Sequence, residues 1–584
     1  MVIGKGLTSI AGEMFYYCRN LATIEIGNGV TSIGHRAFSE CDALTGVIIP
    51  DSVTSMDFQT FENCDALTDV VIGNNVRAIE DDTFSDCKSL TNIIIGNNVK
   101  TIGERAFWKC VSLTDITIPD NLSEIKLYAF KGCKNINRIT LGKGLTYIGD
   151  NAFEDCSSLA EVHISDIAAW CKIEYGEKGT SHPLFNEGKL YLNKEIVTNI
   201  VLPENVTEIK SRAFFKCSTL ESIVIPSTVS LIGNSAFYKC SSLTDVEISS
   251  GVNSIGGSAF YGCTSLADII IPDSVTSIND SAFSGCSALT NVTIPDSVTS
   301  LGGSTFYNCS SLESIELPSN ITSIGESTFY GCSKLSNIKI PNSVTSIGAK
   351  AFYSCSKLTD VTLPGDIISI GESAFMSTVT DVNVIITDLA TYCLQNKMSA
   401  TYGLKHLFIN NEEVTNLIIP EGVKEIGKNA FYKSSLESVT IPSSVTSIGD
   451  SAFEESSSLK SVNLPNSVLS IGKRAFCNCK NLISVNIPQD ITTIKEFTFY
   501  KCAFESITIP QGVTKIEQYA FSSCSNLKNV YCKPVTPPQG GYNMFGSNAS
   551  GRKIYVPAES LDKYKQSYSY WNDYASSIEE YNFE

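Results

Sequence analysis

Residues 243–265 read LTDVEISSGVNSIGGSAFYGCTS, and the chain repeats this 23-residue stretch almost from end to end. The segment LTDVEI alternates apolar and polar residues after its first Leu, which is typical of a short strand. A turn follows, and then a second extended segment that reads VNSI here and VTSI in most copies. The piece GSAFYGC is too short for an independent helix, so it predicts one helical or 3₁₀ turn.

Phenylalanine marks the period. Phe260 has an equivalent every 23 residues within the runs 15–153 and 214–375, and every 22 or 23 residues over 431–521. A fixed period of this length predicts a solenoid, in which each coil buries its apolar residues only by stacking on its neighbours. The predicted fold class is therefore a repeat solenoid, mostly β, with short helical or 3₁₀ turns.

The same alternation predicts which residues face the core. In the quoted copy these are Leu243, Val246, Ile248, Val252, Ile255, Ala259, Phe260 and Cys263. Across the array the predicted structural core includes Phe84, Phe107, Phe237, Phe260, Phe283, Phe306, Phe329, Phe352, Cys240, Cys263 and Cys286. Truncation of Phe260 to Ala is expected to cost roughly 3–5 kcal/mol of stability.

The repeating unit LTxVxIPxxVTSIGxxAFxxCxx resembles the BspA-type (Treponema-type) leucine-rich repeat of bacterial and protist surface proteins. The resemblance covers nearly the whole chain, although the Asn that follows the strand in the commoner leucine-rich consensus is missing. It implies a leucine-rich-repeat right-handed superhelix of 23-residue coils. It also implies a protein exposed at the cell surface or secreted, which adheres to host matrix proteins, host cells or other microbes.

Two interruptions break the period, and they resemble each other. ISDIAAWC at 164–171 matches ITDLATYC at 386–393, and residues 190–209 match residues 407–426. These breaks predict, in chain order, the repeat block 1–163, the insert 164–209, the repeat block 210–385, the insert 386–426, the repeat block 427–530 and the C-terminal cap 531–584.

Each insert is predicted to contain a short amphipathic helix, a variable loop and a hairpin that turns at Asn193–Lys194 or Asn410–Asn411. Trp170 and Tyr392 are interpreted as plugs of the enlarged coil. The loops at 174–188 and 395–404 carry aromatic side chains, which are common in binding loops on rigid scaffolds. The candidate ligand-binding residues on these loops are Tyr175, His182, Phe185 and Tyr402. A purely structural role for them stays open.

The C-terminal region departs from the repeat. Residues 531–546 are rich in Pro and Gly, and residues 553–581 predict one strand followed by a helix that begins at Pro557 or Ser560. This part resembles the closing segment of BspA-like proteins of gut Bacteroides-type bacteria. We expect it to cover the apolar face of the last coil, with Trp571 and Tyr574 facing the core.

Of 21 cysteines, 17 lie three residues after the repeating Phe, as Cys263 follows Phe260. Ser434 and Ser456 take this position in other copies and Ser377 lies one residue before it, which favours small, buried, unpaired side chains. Disulfides between coils and a metal site are the alternatives. A metal site needs close ligand pairs, and the close pair Cys477 and Cys479 has no His nearby. No metal and no cofactor are predicted.

The composition limits the partners. A net charge of −18 and a pI near 4.8 argue against nucleic acid and against anionic membranes. Every apolar run is too short to cross a membrane, so no membrane insertion is expected. The opening MVIGKGLTSI reads like the middle of a repeat, and we expect an export signal to have been removed or truncated. A monomer is expected.

The outward face of the first strand is the predicted recognition surface. It carries Thr beside acidic residues, and the candidate ligand-binding residues on it are Asp69, Asp115, Asp245, Asp268 and Asp360. The four histidines lie far apart, and the sequence contains no phosphate loop, nucleophile elbow or HExxH motif. No catalytic residues are predicted, and the protein is expected not to be an enzyme.

The sequence thus favours a non-enzymatic adhesion protein that binds an extracellular host or microbial protein through a long acidic face. One alternative is a glycan-binding surface protein of a gut bacterium, in which Trp108, Tyr175 or Tyr402 stacks on sugar rings. Another is a structural spacer for a missing N-terminal domain. Binding through an acidic face should weaken as salt rises, whereas aromatic stacking on sugar should not.

Overall fold

The structure is a computed structural model that describes all residues except 5, 365, 366, 368, 378–381, 387, 388, 390–392, 394–403, 410, 411 and 584. It divides into two compact units, Met1–Pro295 and Asp296–Glu584. Each unit is a β-solenoid of stacked coils, which confirms the predicted fold class.

In the first unit, two rows of short strands follow the stacked coils, and each row consists of short parallel sheets such as that of Gly46–Ile49, Asp69–Ile72 and Asn92–Ile94. Row A comes from the LTDVxI segments and contains Val2–Ile3, Glu25–Ile26, Gly46–Ile49, Asp69–Ile72, Asn92–Ile94, Asp115–Thr117, Arg138–Leu141, Glu161–Ile164, Lys189–Leu192, Asn199–Val201, Ser222–Ile225, Asp245–Ile248, Asp268–Ile270 and Asn291–Thr293. Row B comes from the VTSI segments and contains Ser9–Ile10, Ser32–Ile33, Ser55–Met56, Ala78–Ile79, Thr101–Ile102, Glu124–Ile125, Tyr147–Ile148, Glu174–Tyr175, Leu231–Ile232, Ser254–Ile255 and Ser277–Ile278.

The second unit has the same two rows. Its row A contains Asn337–Lys339, Asp360–Leu363, Val382–Ile386, Leu404–Ile409, Asn416–Ile418, Ser438–Thr440, Ser461–Asn463, Ser484–Val485, Ser506–Ile509, Asn529–Cys532, Lys553–Pro557 and Ile578–Tyr581. Its row B contains Ser300–Leu301, Ser323–Ile324, Ser346–Ile347, Ser369–Ile370, Glu425–Ile426, Ser447–Ile448, Ser470–Ile471, Thr493–Ile494, Lys515–Ile516 and Gln539–Gly540.

Helix is scarce in the described residues. The α-helices are Ile167–Trp170 and Leu561–Lys565, and the 3₁₀ helices are Gly179–Ser181, Ala558–Ser560 and Asn572–Ser577. Within the part of the chain that is described, none of the helices is long and apolar enough to cross a membrane.

Stacked phenylalanines form the centre of each unit. The Phe260 ring lies between the rings of Phe237 and Phe283, with centroids 5.1 and 5.4 Å away and nearly parallel planes. Phe260 and the other predicted inward residues of the quoted copy are all buried. The Phe and Cys residues predicted as structural core elsewhere in the array have no exposed surface. Strand alternation explains this, since Val246 and Ile248 point inward while Asp245 and Glu247 point outward.

The turn after row B differs from the sequence prediction. It is neither a helix nor a 3₁₀ helix, because Ser258 and Gly262 adopt left-handed conformations with φ of 55° and 70°. The N–H groups of Ser258, Phe260 and Gly262 donate to carbonyls of the next coil at 2.7–2.8 Å. The left-handed conformation costs roughly 1–2 kcal/mol per non-Gly residue, which this third ladder between coils offsets.

Each insert adds an antiparallel pair of strands to row A. Lys189–Leu192 pairs in parallel with Glu161–Ile164 and antiparallel with Glu195–Ile196. Asn193 and Lys194 form the tight turn between them, with φ of 51° and 74°, as a type I′ hairpin requires. In the second insert Leu404–Ile409 pairs antiparallel with Glu412–Glu413. The predicted turn at 410–411, Tyr392 and most of the loop at 395–404 lie outside the described residues.

All 21 cysteines are in the reduced thiol form, and each is buried except Cys18. In the repeating position the thiol donates to the carbonyl of the Phe one coil earlier, as in Cys263 Sγ to Phe237 O at 3.2 Å. Ser456 does the same with its hydroxyl, to Phe431 O at 2.8 Å. The position therefore takes a small side chain that can donate a hydrogen bond.

The C-terminal cap contains less helix than predicted. The helix ends at Lys565, Tyr570 adopts a φ of 59°, and the chain then forms a final strand, Ile578–Tyr581, which pairs with Lys553–Pro557. The single-helix prediction is wrong because it missed this last coil. Trp571 and Tyr574 are buried, as predicted. The Tyr574 hydroxyl accepts a hydrogen bond from the Phe545 N–H at 3.2 Å. The cap therefore provides an acceptor for a backbone donor in the last turn that carries a repeating Phe.

Candidate functional site

The outward side chains of row A in the first unit form two columns, which we call the row A face. Register pairing fixes the columns. The first column runs through Gly46, Asp69 and Asn92, and then through Asp115, Arg138, Glu161 and Lys189. The second column runs through Ile48, Val71 and Ile94, and then through Thr117, Thr140, His163 and Tyr191.

Asp69 and Asp115 lie in the first column, and Asp245 and Asp268 take the equivalent outward position on later row A strands. Asp69, Asp115, Asp245 and Asp268 are all exposed. Asp360 belongs to row A of the second unit, where its backbone pairs with Asn337, and its side chain lies outside the described residues.

The first column is not uniformly acidic. Arg138 Nε lies 2.9 Å from Glu161 Oε2, and Arg138 Nη1 lies 3.8 Å from Asp115 Oδ1. Lys189 pairs with Glu161 in the sheet register. Basic side chains therefore alternate with carboxylates over this stretch, because cross-strand neighbours of opposite charge are favoured. The row A face is therefore not continuously acidic, although the sequence predicted that it would be, and its acidic residues form separate local positions.

Asp69 is one such position. Its carboxylate accepts hydrogen bonds from Thr68 Oγ1 at 2.6 Å and from Asn92 Nδ2 at 2.8 Å. These two bonds lower the pKa of the Asp69 carboxyl, so the exposed side chain carries its charge down to acidic pH.

Beside Asp69 the second column is apolar. Ile48 and Ile94 keep 67% and 64% of their surface exposed, and Val71 lies in register between them. We call these three residues the apolar stripe. Gly46 leaves a hollow of about 510 Å³ next to it, walled by Ile48, Val71 and the acidic residues Glu25 and Asp69. We call this the Gly46 hollow.

The hollow exists because Gly46 has no side chain, not because the backbone needs glycine. A Cβ placed on Gly46 would lie 3.4 Å from Asp69 O, which is ordinary contact. Sequence reasoning missed this feature. The available signal was LTGVII at 44–49, where most copies carry Asp, Asn or Ser in place of Gly46.

Two of the loop aromatics predicted to bind ligand lie inside the first insert. Tyr175 takes the inward position of Ile148 in row B, and its hydroxyl is buried. His182 is fully buried, with its ring centroid 4.3 Å from that of Tyr175 and 5.6 Å from that of Trp170. Trp170 is buried as well, which confirms its predicted role as a plug. His182 therefore cannot contact a surface ligand.

The buried imidazole of His182 is neutral. Its Nδ1 accepts the Leu184 N–H at 3.1 Å, and burial lowers the pKa of His182 from 6.5 to about 3. His182 Nε2, Trp170 Nε1 and the Tyr175 hydroxyl have no hydrogen-bond partner within the described residues. Buried polar atoms of this kind commonly hold an ordered water.

The other predicted aromatics are partly covered by lysines. Lys216 Nζ lies 4.5 Å from the ring centroid of the half-buried Phe185, and Lys109 Nζ lies 3.9 Å from that of Trp108. Tyr402 lies outside the described residues. Within the described ranges, no group of three His, Cys, Asp or Glu side chains is placed to hold a metal ion.

Comparison with known proteins identifies the repeat. A family profile described as BspA type Leucine rich repeat region matches six overlapping stretches, at residues 1–110, 58–170, 188–310, 276–401, 404–528 and 446–575. The chain belongs to the BspA-type leucine-rich repeat family. The profile does not match part of the first insert, two residues of the second insert and the last residues of the cap. The profile matches confirm the resemblance to BspA-type repeats on which the prediction of the coil was based.

Solved structures of leucine-rich repeat proteins also match. A leucine-rich repeat protein from Bacteroides ovatus is 25% identical, over 79% of this chain and 83% of that one, with a TM-score of 0.31. A leucine rich cell surface protein from Faecalibacterium prausnitzii is 30% identical, over 61% and 82%, with a TM-score of 0.34. The leucine-rich repeat protein of T. pallidum is 32% identical, over 29% and 80%, with a TM-score of 0.27. A search of curated proteins gives no significant match.

Proposed function

We propose that this protein is a non-enzymatic binding protein, displayed at the cell surface or secreted, which recognises an extracellular protein through the row A face of its first unit. The apolar stripe carries the proposal. Ile48 and Ile94 are more than 60% exposed and lie in one column with Val71. Contiguous exposed apolar surface on a soluble protein commonly marks an interaction site. The surface location is what the resemblance to BspA-type surface proteins implies.

The shape and charge of the site suggest the chemistry of the partner. The Gly46 hollow can receive one apolar side chain between Ile48 and Val71. Glu25 and Asp69 at its edge favour a Lys or Arg beside that side chain, and the Asp69 carboxylate keeps its charge. The preferred partner is therefore a protein segment in which an apolar residue neighbours a basic one.

A binding screen tests this function. The full chain is immobilised and probed with purified matrix and cell-surface proteins, at low and at high salt, by surface plasmon resonance. Gly46→Thr fills the hollow with a residue that a strand tolerates, and Ser484→Thr places the same residue at an exposed row A position of the second unit.

We expect a protein ligand that binds more weakly at high salt, and whose binding is reduced by Gly46→Thr but not by Ser484→Thr. Equal binding by both variants would move the site away from the hollow. A screen without any protein ligand would support the spacer alternative.

A further inference from the structure

The last coils of the second unit form a cleft of about 630 Å³, lined by Thr508, Tyr531, Lys533, Tyr581, Asn582 and Phe583. We call it the C-terminal cleft. We propose that it binds an acidic saccharide, with a sugar ring packed on the tyrosine rings and its carboxylate bound by Lys533. This site is separate from the Gly46 hollow and does not depend on the function proposed for that region.

The aromatic wall of the cleft is built by the register of row A. Tyr531 and Tyr555 take the second outward position of neighbouring strands and pair directly, so their rings stack at 5.1 Å. Tyr581 comes from the final strand, and its ring centroid lies 5.3 Å from that of Tyr531 and 5.5 Å from that of Tyr555. Tyr581 remains 44% exposed.

These rings hold Tyr581 in place while leaving part of its surface free for a ligand. Phe583 packs on Tyr581 at 5.0 Å and extends the wall. A pyranose has one face of C–H groups, which packs against an aromatic ring, while its hydroxyls project outward. The cleft thus offers the apolar surface that one side of a sugar needs.

Polar donors surround this wall. The Thr508 hydroxyl, the Asn582 amide and the Lys533 ammonium line the same cleft as the aromatic rings. A concave site with aromatic walls and a few placed polar groups is typical of small-ligand recognition, and its volume lies in the usual range. Hydrogen-bond donors spread among aromatic rings suit a hydroxyl-rich ligand better than an apolar peptide side chain, which would leave them unpaired.

Lys533 determines the charge of the ligand. It is half-buried, and no carboxylate of the described residues lies within ion-pair distance of its ammonium group. Among the described residues, none that lines the cleft is acidic. The exposed Glu559 belongs to an adjoining hollow of about 400 Å³, which shares Lys533 and Tyr581 with the cleft. A half-buried ammonium without a counter-ion favours a ligand that brings one, as the carboxylate of a uronic acid would.

Titration calorimetry with the full chain tests the proposal. The probes are a tetrasaccharide of alternating glucuronic acid and N-acetylglucosamine, the same tetrasaccharide with its carboxyls reduced to alcohols, and the neutral tetrasaccharide of β-1,4-linked glucose. The variants are Lys533→Met and Tyr581→Leu, with Tyr581→Phe as a conservative form. The matched controls are Lys563→Met and Tyr568→Leu, at exposed positions of the cap outside the cleft. Thermal unfolding checks that each variant folds.

We expect the acidic tetrasaccharide to bind best. Reduction of its carboxyls and Lys533→Met should each weaken binding by about tenfold or more, as the loss of a charge-assisted hydrogen bond does. Tyr581→Leu should weaken binding of the acidic and the reduced forms alike, while Tyr581→Phe and the two controls should not. Equal affinity for acidic and reduced forms, no binding at millimolar concentration, or binding unchanged by Lys533→Met would each overturn the proposal.

Discussion

The thiol of Cys286 donates a hydrogen bond to the backbone carbonyl of Phe260, one coil earlier, with an Sγ–O distance of 3.1 Å. The two residues that mark the repeat in the sequence are therefore partners across neighbouring coils. The Phe fills the core, and the Cys satisfies the second lone pair of the Phe carbonyl, which also accepts the Cys263 N–H at 3.2 Å. This explains why Ser, which is also small and carries a hydrogen-bond donor, can replace Cys at Ser434 and Ser456.

Variants of Cys286 test this partnership. Cys286→Ser keeps a donor of similar size and should change the free energy of unfolding by less than about 1 kcal/mol. Cys286→Ala loses the donor and some packing and should cost about 1–2 kcal/mol, while Cys286→Val should cost about 1–3 kcal/mol through overpacking. Hydrogen exchange of the amides over 256–289 measures the local stability. Equal costs for Ser and Ala would contradict a role for the hydrogen bond.

The thiols should also be chemically inert in the folded protein. Burial raises the pKa of the Cys87 and Cys286 thiols to about 12, and all cysteines except Cys18 are buried. Since the thiolate is the reactive form, a thiol reagent at neutral pH should modify one cysteine in the native chain and all 21 after unfolding. Cys18→Ser should abolish the native reaction. Rapid native modification of several thiols would contradict the stacked-coil core.

The left-handed turns predict opposite effects of two glycine substitutions in one coil. Gly262 has a φ of 70°, so Gly262→Ala should destabilise the coil by about 1 kcal/mol. A Cβ on Gly257 would lie 3.4 Å from Asp280 O and 3.6 Å from Asn234 Oδ1, which are ordinary contacts, and Gly257 has no positive φ. Gly257→Ala should therefore stabilise by about 0.4–1 kcal/mol, because it restricts the unfolded chain. Thermal unfolding of both variants measures the difference, and two changes of the same sign would refute the turn geometry.

The buried imidazole predicts a pH dependence of the first insert. The pKa of His182 is about 3 in the folded protein and 6.5 ordinarily, so between these values the unfolded state binds one more proton than the folded state. The contribution of His182 to stability should then be constant above pH 6.5 and fall below it by about 1.4 kcal/mol per pH unit. Hydrogen exchange over 164–209, measured from pH 7 to pH 5, tests this fall. His182→Gln should remove it and the exposed His35→Gln should not.

The period of Phe260 and Cys263 was sufficient to predict the coil and its inward residues, because every copy of the repeat buries the same positions against its neighbours. The left-handed conformations of Ser258 and Lys239 were not predictable, since both residues also suit helices and turns. They are imposed by the ladder between coils. The burial of His182 was missed because the insert loop has no period to indicate which residues face inward.

The candidate sites depend on departures from the repeat. Gly46 and Lys533 contribute to candidate sites because the sheet register places other residues beside them. Asp69 lies across from Gly46, and Tyr531 lies on the strand before Lys533. The sequence shows these departures but does not show which of them lie together at the surface. The final strand, Ile578–Tyr581, was read as helix, and so the cleft it completes was not predicted.

The most direct test of the proposed protein-binding surface is a comparison of two variants against the strongest protein ligand of the screen. The double variant Ile48→Thr/Ile94→Thr replaces the exposed ends of the apolar stripe with a residue found at 117 and 140 in the same column. Ile418→Thr makes the same change at a row A position of the second unit that is 69% exposed. If the stripe is the binding surface, the double variant should raise the dissociation constant at least about tenfold and Ile418→Thr should leave it unchanged. An unchanged dissociation constant in the double variant would contradict the proposal.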